Sequence, residues 1–183
     1  MPFNKAIILL KRASSLYDSK AYPYSNNHIH FFSPFSDGAK WMKNNIELIR
    51  HRNISTQIKK SNFELLGFIK YGLCSLFAVL FLLLFFFSFN PIWIVLSILS
   101  FYTLEAQMVF LFPLSIDGST KPFKESFLLT QHSGGTIKVM LTVLPIASTM
   151  IFGGLLKRRT VRSWHLGCLA VLLWYEDIRL LKK

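Results

Sequence analysis

In 183 residues the chain combines 52% apolar residues and 15% aromatics with a formal net charge of +12. A soluble domain of this size rarely joins such apolarity to so few acids, so charge and apolarity must be segregated along the chain. Met1 to Glu64 holds ten Lys/Arg against four acids, whereas Tyr71 to Pro113 holds no base and one acid, Glu105. A basic N-terminal region (1–64) therefore precedes a membrane domain (65–183). Its expected counter-charge is the anionic cytoplasmic leaflet of a lipid bilayer, not nucleic acid.

Taken in chain order, the first apolar run, Ala6 to Leu10, is closed at once by Lys11-Arg12. It is too short for a signal-peptide core, so the first long hydrophobic helix is expected to act as an uncleaved anchor. Tyr22 to Gly38 mixes Pro, Asn, Ser and aromatics without period and reads as an irregular loop; its His28 and His30 lack a third ligand and make a poor metal site. From Lys40 to Arg50, Trp41, Met42, Ile46, Leu48 and Ile49 share one side of a helical wheel, and Lys40, Lys43, Glu47 and Arg50 take the other. Two readings stay open for this amphipathic helix: it lies in the membrane interface, or it packs on the rest of the protein.

Leu65 to Pro113 contains two apolar runs separated by Ser88-Phe89-Asn90-Pro91. A crossing helix needs roughly 20 apolar residues, so spans are expected at about 65–89 and 92–114, with the turn at Asn90-Pro91. Ser115 to Lys138 is a polar connection with a short helix around Phe123 to Leu129, and a third span is expected over about 139–156 despite Pro145. Trp164 to Tyr175 offers about a dozen apolar residues, nearer a buried or re-entrant segment than a full span. It reaches span length (about 163–178) only if Glu176, Asp177 and Arg179 sit among headgroups beside Trp174 and Tyr175.

With the N-terminus cytoplasmic and four spans, sixteen bases fall inside and four, Lys157, Arg158, Arg159 and Arg162, fall outside. That basic outer loop violates the positive-inside tendency and leaves a shallow hairpin over Val139 to Tyr175 as the other topology. The fold class expected is all-α: a multi-pass helical bundle of four helices, preceded by a basic region with one amphipathic helix at 40–50, in a plasma or inner membrane.

Glu105 is the leading candidate site, because an ionised acid at membrane depth costs a few kcal/mol and asks for a reason. It either handles a proton or cation, pairs with a base on another helix, or is tolerated as a neutral acid. Lys70 is the obvious base, yet counting from the turn puts it about 30 Å away against about 22 Å for Glu105, so Lys70 is expected to snorkel toward the headgroups. Ser97, Ser100, Thr103 and Gln107 share one face of the second span and read as a packing seam, for which Thr149 and Gly153 of the third span offer a partner. His132-Ser133-Gly134-Gly135-Thr136, with Lys138, reads as a flexible helix entry in preference to an anion cradle. His165 is expected at an interface, and Cys74 and Cys168 as packed free thiols.

No HExxH, DDxxD or DGxxAR run is present, and no cofactor is expected. The function expected is a non-enzymatic accessory or scaffold subunit with a membrane-protein partner or a second copy of itself. The alternatives are a small proton- or cation-coupled transporter using Glu105, and a lipid-modifying enzyme using His132 and Glu176.

Overall fold

A computed structural model describes residues 2–19, 34–56, 60–157 and 160–181. Among these there are eight helices and no strand: α1 (Pro2–Asp18), α2 (Pro34–Arg50), α3 (Lys60–Ser88), α4 (Ile92–Gln107), α5 (Leu111–Ile116), α6 (Pro122–His132), α7 (Thr136–Lys157) and α8 (Thr160–Leu181). The fold is an all-α bundle. Residues 62–88, 92–116 and 136–153 form helices long and apolar enough to cross a membrane.

The α3–α4 hairpin forms where it was expected. Asn90 closes its turn, its Oδ1 accepting the Ile92 N–H at 3.0 Å, and Pro91 precedes the first helical turn, where a missing donor costs nothing. The second apolar run is not one straight helix. Pro113 has no N–H for the Val109 carbonyl and its ring crowds that group, so the helix breaks over Met108 to Phe110 and restarts as α5. The carbonyls freed at the end of α4 are taken up by α6: Thr130 donates to Ala106 O at 3.0 Å and Ser126 to Gln107 O at 2.7 Å. That is why the short helix expected near Phe123–Leu129 docks here.

The helix α1 was not anticipated as a packed element. Its apolar run is short, but Ala6, Leu9, Ala13 and Tyr17 recur every three to four residues and are all buried, against α7 and α8. Burying the larger of these side chains stabilises by roughly 1.5–3 kcal/mol each. Helix α2 starts at Pro34, earlier than the wheel at 40–50 suggested, and its apolar face is covered by α3, α5 and α8, with Ala39 and Ile46 fully buried. The expected domain boundary at Glu64/Leu65 falls inside α3, and the first two helices pack on the later ones.

Helix α8 is not among the helices long and apolar enough to span. It is a central core helix, with Leu172 through Glu176 buried in unbroken succession beneath α1, α2 and α7. Its crossing with α7 depends on two glycines. A Cβ on Gly167 would collide with the Met150 side chain, and one on Gly153 would lie 3.0 Å from Ser163 Oγ.

One contact ties the end of α1 to the start of α8. Arg162 Nη2 donates to Asp18 at 2.7 Å and its guanidinium lies over the Tyr17 ring at 5.8 Å. The end of α1 and the start of α8 therefore lie side by side.

Candidate functional site

The candidate site is the foot of the α3–α4 hairpin. Lys70 and Glu105, the charges bordering the apolar hairpin, meet there: Lys70 Nζ lies 2.8 Å from Glu105 Oε1, with side-chain exposures of 4% and 17%. This overturns the expectation that Lys70 snorkels away. The axial offset counted from the turn was about 8 Å, which is within reach of an extended lysine between adjacent antiparallel helices. The ammonium also stands 5.0 Å from the Tyr71 ring centroid and 5.7 Å from that of Phe112. Glu105 is thus an acid paired with a base on another helix. Its second oxygen, Oε2, is buried without a hydrogen-bond partner.

The polar stripe on α4 divides between two neighbours. Ser97 is buried and donates to Ala78 O of α3 at 2.8 Å, while Ser100 bonds back to Ser97 O within its own helix. Thr103 approaches Met140 Sδ at 3.9 Å and Gln107 Nε2 donates to Thr136 Oγ1, so this end of the stripe faces the start of α7. Thr149 and Gly153, the expected partners on α7, have contacts of their own. Thr149 bonds to Pro145 O of its own helix at 2.9 Å, and Gly153 faces Ser163 of α8.

A second polar cluster was not foreseen, because its members come from three distant segments. Arg50 forks onto Asp117, with Nη1 to Oδ1 at 2.6 Å and Nη2 to Oδ2 at 2.8 Å; its Nε and Nη2 also donate to Glu176 Oε1. Tyr175 OH donates to Asp117 Oδ2 at 2.7 Å, and Arg179 Nη1 lies 3.5 Å from Glu176 Oε2. Arg50 and Arg179 stand in the last turns of α2 and α8, where a cation also offsets the helix dipole. Glu176 is therefore buried in an ion-pair network. The one sequence signal was Arg50, the base that closes the amphipathic helix.

Burial disfavours the charge on Asp117, but hydrogen bonds from Arg50 and Tyr175 outweigh it and hold its carboxyl below the ordinary value of 3.8. Burial likewise works against the Arg50 guanidinium, and its bonds to Asp117 and Glu176 more than offset that. Because the folded Asp117 releases its proton more readily than the unfolded one, its stabilisation is complete above about pH 4 and is lost as pH falls through its lowered value. Thermal stability in detergent is expected to drop between about pH 4 and pH 2 more steeply for the wild type than for Asp117→Asn. Parallel pH profiles for the two proteins would refute this.

Beside the cluster lies an open cleft of about 350 Å³, bordered by Arg52, Ser55, Thr56 and Arg179. The other residues singled out have structural engagements. The amides of Ser133, Gly134 and Gly135 all bond back to α6 carbonyls, and both glycines take positive φ, so this loop is a helix stop in place of an anion cradle. His132 Nδ1 contacts Leu128 O at 2.7 Å, and no described contact joins His132 to Glu176. His165 stacks on Trp41 at 4.7 Å and lies 6.0 Å from the Tyr17 ring, tying α8 to α2 and α1. Cys74 is a buried free thiol and Cys168 a partly buried one. His28 and His30 lie outside the described residues, and among the described ones no group of three His, Cys, Asp or Glu could hold a metal ion. Compared with known proteins, the chain matches no family model, no curated protein and no solved structure.

Proposed function

We propose that this chain is a non-enzymatic accessory or scaffold component of a membrane assembly. In this reading the α3–α4 hairpin holds it in the bilayer, and its basic N-terminal helices rest on the anionic cytoplasmic leaflet of a plasma or inner membrane. The observation that carries the reading is the Lys70–Glu105 pair. Glu105 is the sole charged side chain from Tyr71 to Ile116, and it is committed to an intramolecular partner instead of facing a path. Gln107 Nε2 and Ser97 Oγ likewise bond to α7 and α3, although Gln107 Oε1 is buried without a partner. What the molecule offers its surroundings is apolar: Leu76, Leu80 and Leu83 on α3, and Ile137, Leu141, Ile151 and Phe152 on α7. Such surfaces suit lipid and partner helices.

One observation favours the transporter alternative: the buried Glu105 Oε2 has no partner. Purification in mild detergent separates the two. A stable complex with another membrane protein is the expected result. Recovery as a homo-oligomer that moves protons or cations in vesicles would replace the scaffold reading with the transporter one.

A further inference from the structure

The charges of the chain and the contacts among its helices specify how it meets the bilayer. We propose that the protein enters the membrane from one face only: the α3–α4 hairpin alone penetrates, its tip ends in lipid, and every described charged segment, the end of α7 and the start of α8 included, stays on the entry side. The proposal rests on the membrane reading above and goes beyond it in committing every other element to one side.

Three independent observations converge. The first is the linkage of the N-terminal helices to α8. Asp18 pairs with Arg162 at 2.7 Å, Arg12 pairs with Asp177 at 2.7 Å, and Trp41 stacks on His165. Wherever α8 lies, α1 and α2 lie beside it. Both carry charges along their lengths, with Lys11 and Arg12 exposed on α1 and Lys40 on α2. Such a layer is costly to place in hydrocarbon, where charged side chains are rare and face a protein interior or water. The layer of α1, α2 and α8 therefore belongs at the membrane face. Helix α7 packs chiefly on α1 and α8 and meets α4 near the foot, where Gln107 reaches Thr136 and Thr103 reaches Met140; it stays with the layer, turning Ile137, Leu141, Ile151 and Phe152 to the lipid.

The second observation is the length of what remains. From Tyr71 to Leu104 no side chain is charged, and the Lys70–Glu105 pair marks the foot of this stretch. Its longer arm, residues 71–88, rises about 27 Å at helical pitch, close to the roughly 30 Å of a hydrocarbon core. The turn thus stops level with the far edge of that core and does not project beyond it.

The third is the chemistry of the tip. Phe86, Phe87 and Phe89 are 64%, 85% and 77% exposed, the pattern of side chains surrounded by lipid. Polar groups of the turn bond within it: Ser88 Oγ donates to Leu84 O at 2.8 Å, the Phe89 N–H to Phe85 O at 2.7 Å, the Ile92 N–H to Asn90 Oδ1 and the Trp93 N–H to Asn90 O at 3.2 Å. Backbone in a bilayer requires such closure, and this turn supplies it. The tip carries no charge with which to greet a protein partner, so lipid is its occupant.

One-sided entry also removes the violation of the positive-inside tendency. Lys157 and Arg162 then join the other bases, on the side of one anionic leaflet that suits a chain of 21 Lys/Arg against nine Asp/Glu.

The test uses full-length protein with both native cysteines replaced by alanine, reconstituted alone in vesicles containing anionic lipid. Single cysteines replace Lys11, Leu80, Phe87 or Val161, each of whose native side chains is exposed, so little packing is lost. An impermeant maleimide is applied to either side. Lys11→Cys and Val161→Cys should label from the same side. Leu80→Cys and Phe87→Cys should label from neither until detergent is added, with labelling rising at least tenfold on solubilisation. Labelling of Val161→Cys only from the side opposite Lys11→Cys, or of Phe87→Cys from the far side while Leu80→Cys stays protected, would overturn the proposal and leave the membrane reading intact. Labelling of Leu80→Cys in intact vesicles would overturn both. Ile92→Cys, also at an exposed tip position, replaces Phe87→Cys if that variant does not reconstitute, and the same outcomes decide.

Discussion

Replacing Lys70 with methionine should cost the protein about 3–5 kcal/mol, because it leaves Glu105 buried without its counter-charge. The ammonium is 4% exposed and lies between α3 and α4 at the foot of the hairpin, so no water is at hand to stand in for it. Glu105→Gln should cost a comparable amount, since it leaves the ammonium unpaired. The double variant Lys70→Met/Glu105→Gln should recover most of the loss, as a neutral pair of similar volume carries no uncompensated charge. Loss of helical signal against rising SDS fraction measures all three. If Glu105 serves a proton or cation, Glu105→Gln instead keeps its stability and loses transport. Wild-type unfolding of the Lys70→Met protein would deny the pair any structural part.

Arg50→Met is expected to have the other large effect, again about 3–5 kcal/mol, because Asp117 and Glu176 would then share only the more distant Arg179 at a mostly buried site. Arg50 is 9% exposed on its side chain and joins α2 to the end of α5 and to α8. Its removal should loosen α2 in particular and raise the rate at which trypsin cuts at the exposed Arg52. Arg50→Lys keeps the charge but not the planar fork that reaches both carboxylates, so it should restore only part of the stability. Equal unfolding and equal cleavage in Arg50→Met and the wild type would show that the network contributes nothing.

The elements that were legible in the sequence are those whose signal is local. The α3–α4 hairpin, the short α6 and the amphipathic α2 follow from run length, turn residues and helical period, each read within a window of one helix. Helix α1 left such a signal too, but a faint one, because two of its buried positions are alanines, which add little to an apolar run. Glu105 was legible as a site since a single acid interrupts a long apolar stretch. Its partner was not, because axial counting along two ideal helices ignores the reach of a lysine side chain.

Composition and periodicity by themselves determined that this protein is helical, that it carries a charge-free hairpin long enough for a bilayer, and that its bases lie outside that hairpin. They did so because hydropathy and helical period are properties of consecutive residues. Only the tertiary structure decided that Lys70 neutralises Glu105, that Arg50 meets Asp117 and Glu176, that Asp18 pairs with Arg162, and that α8 is a covered core helix. Those outcomes depend on which helices cross, and at what height. The partners are separated by 35, 67, 126 and 144 residues, so no local window contains both halves of any of these contacts.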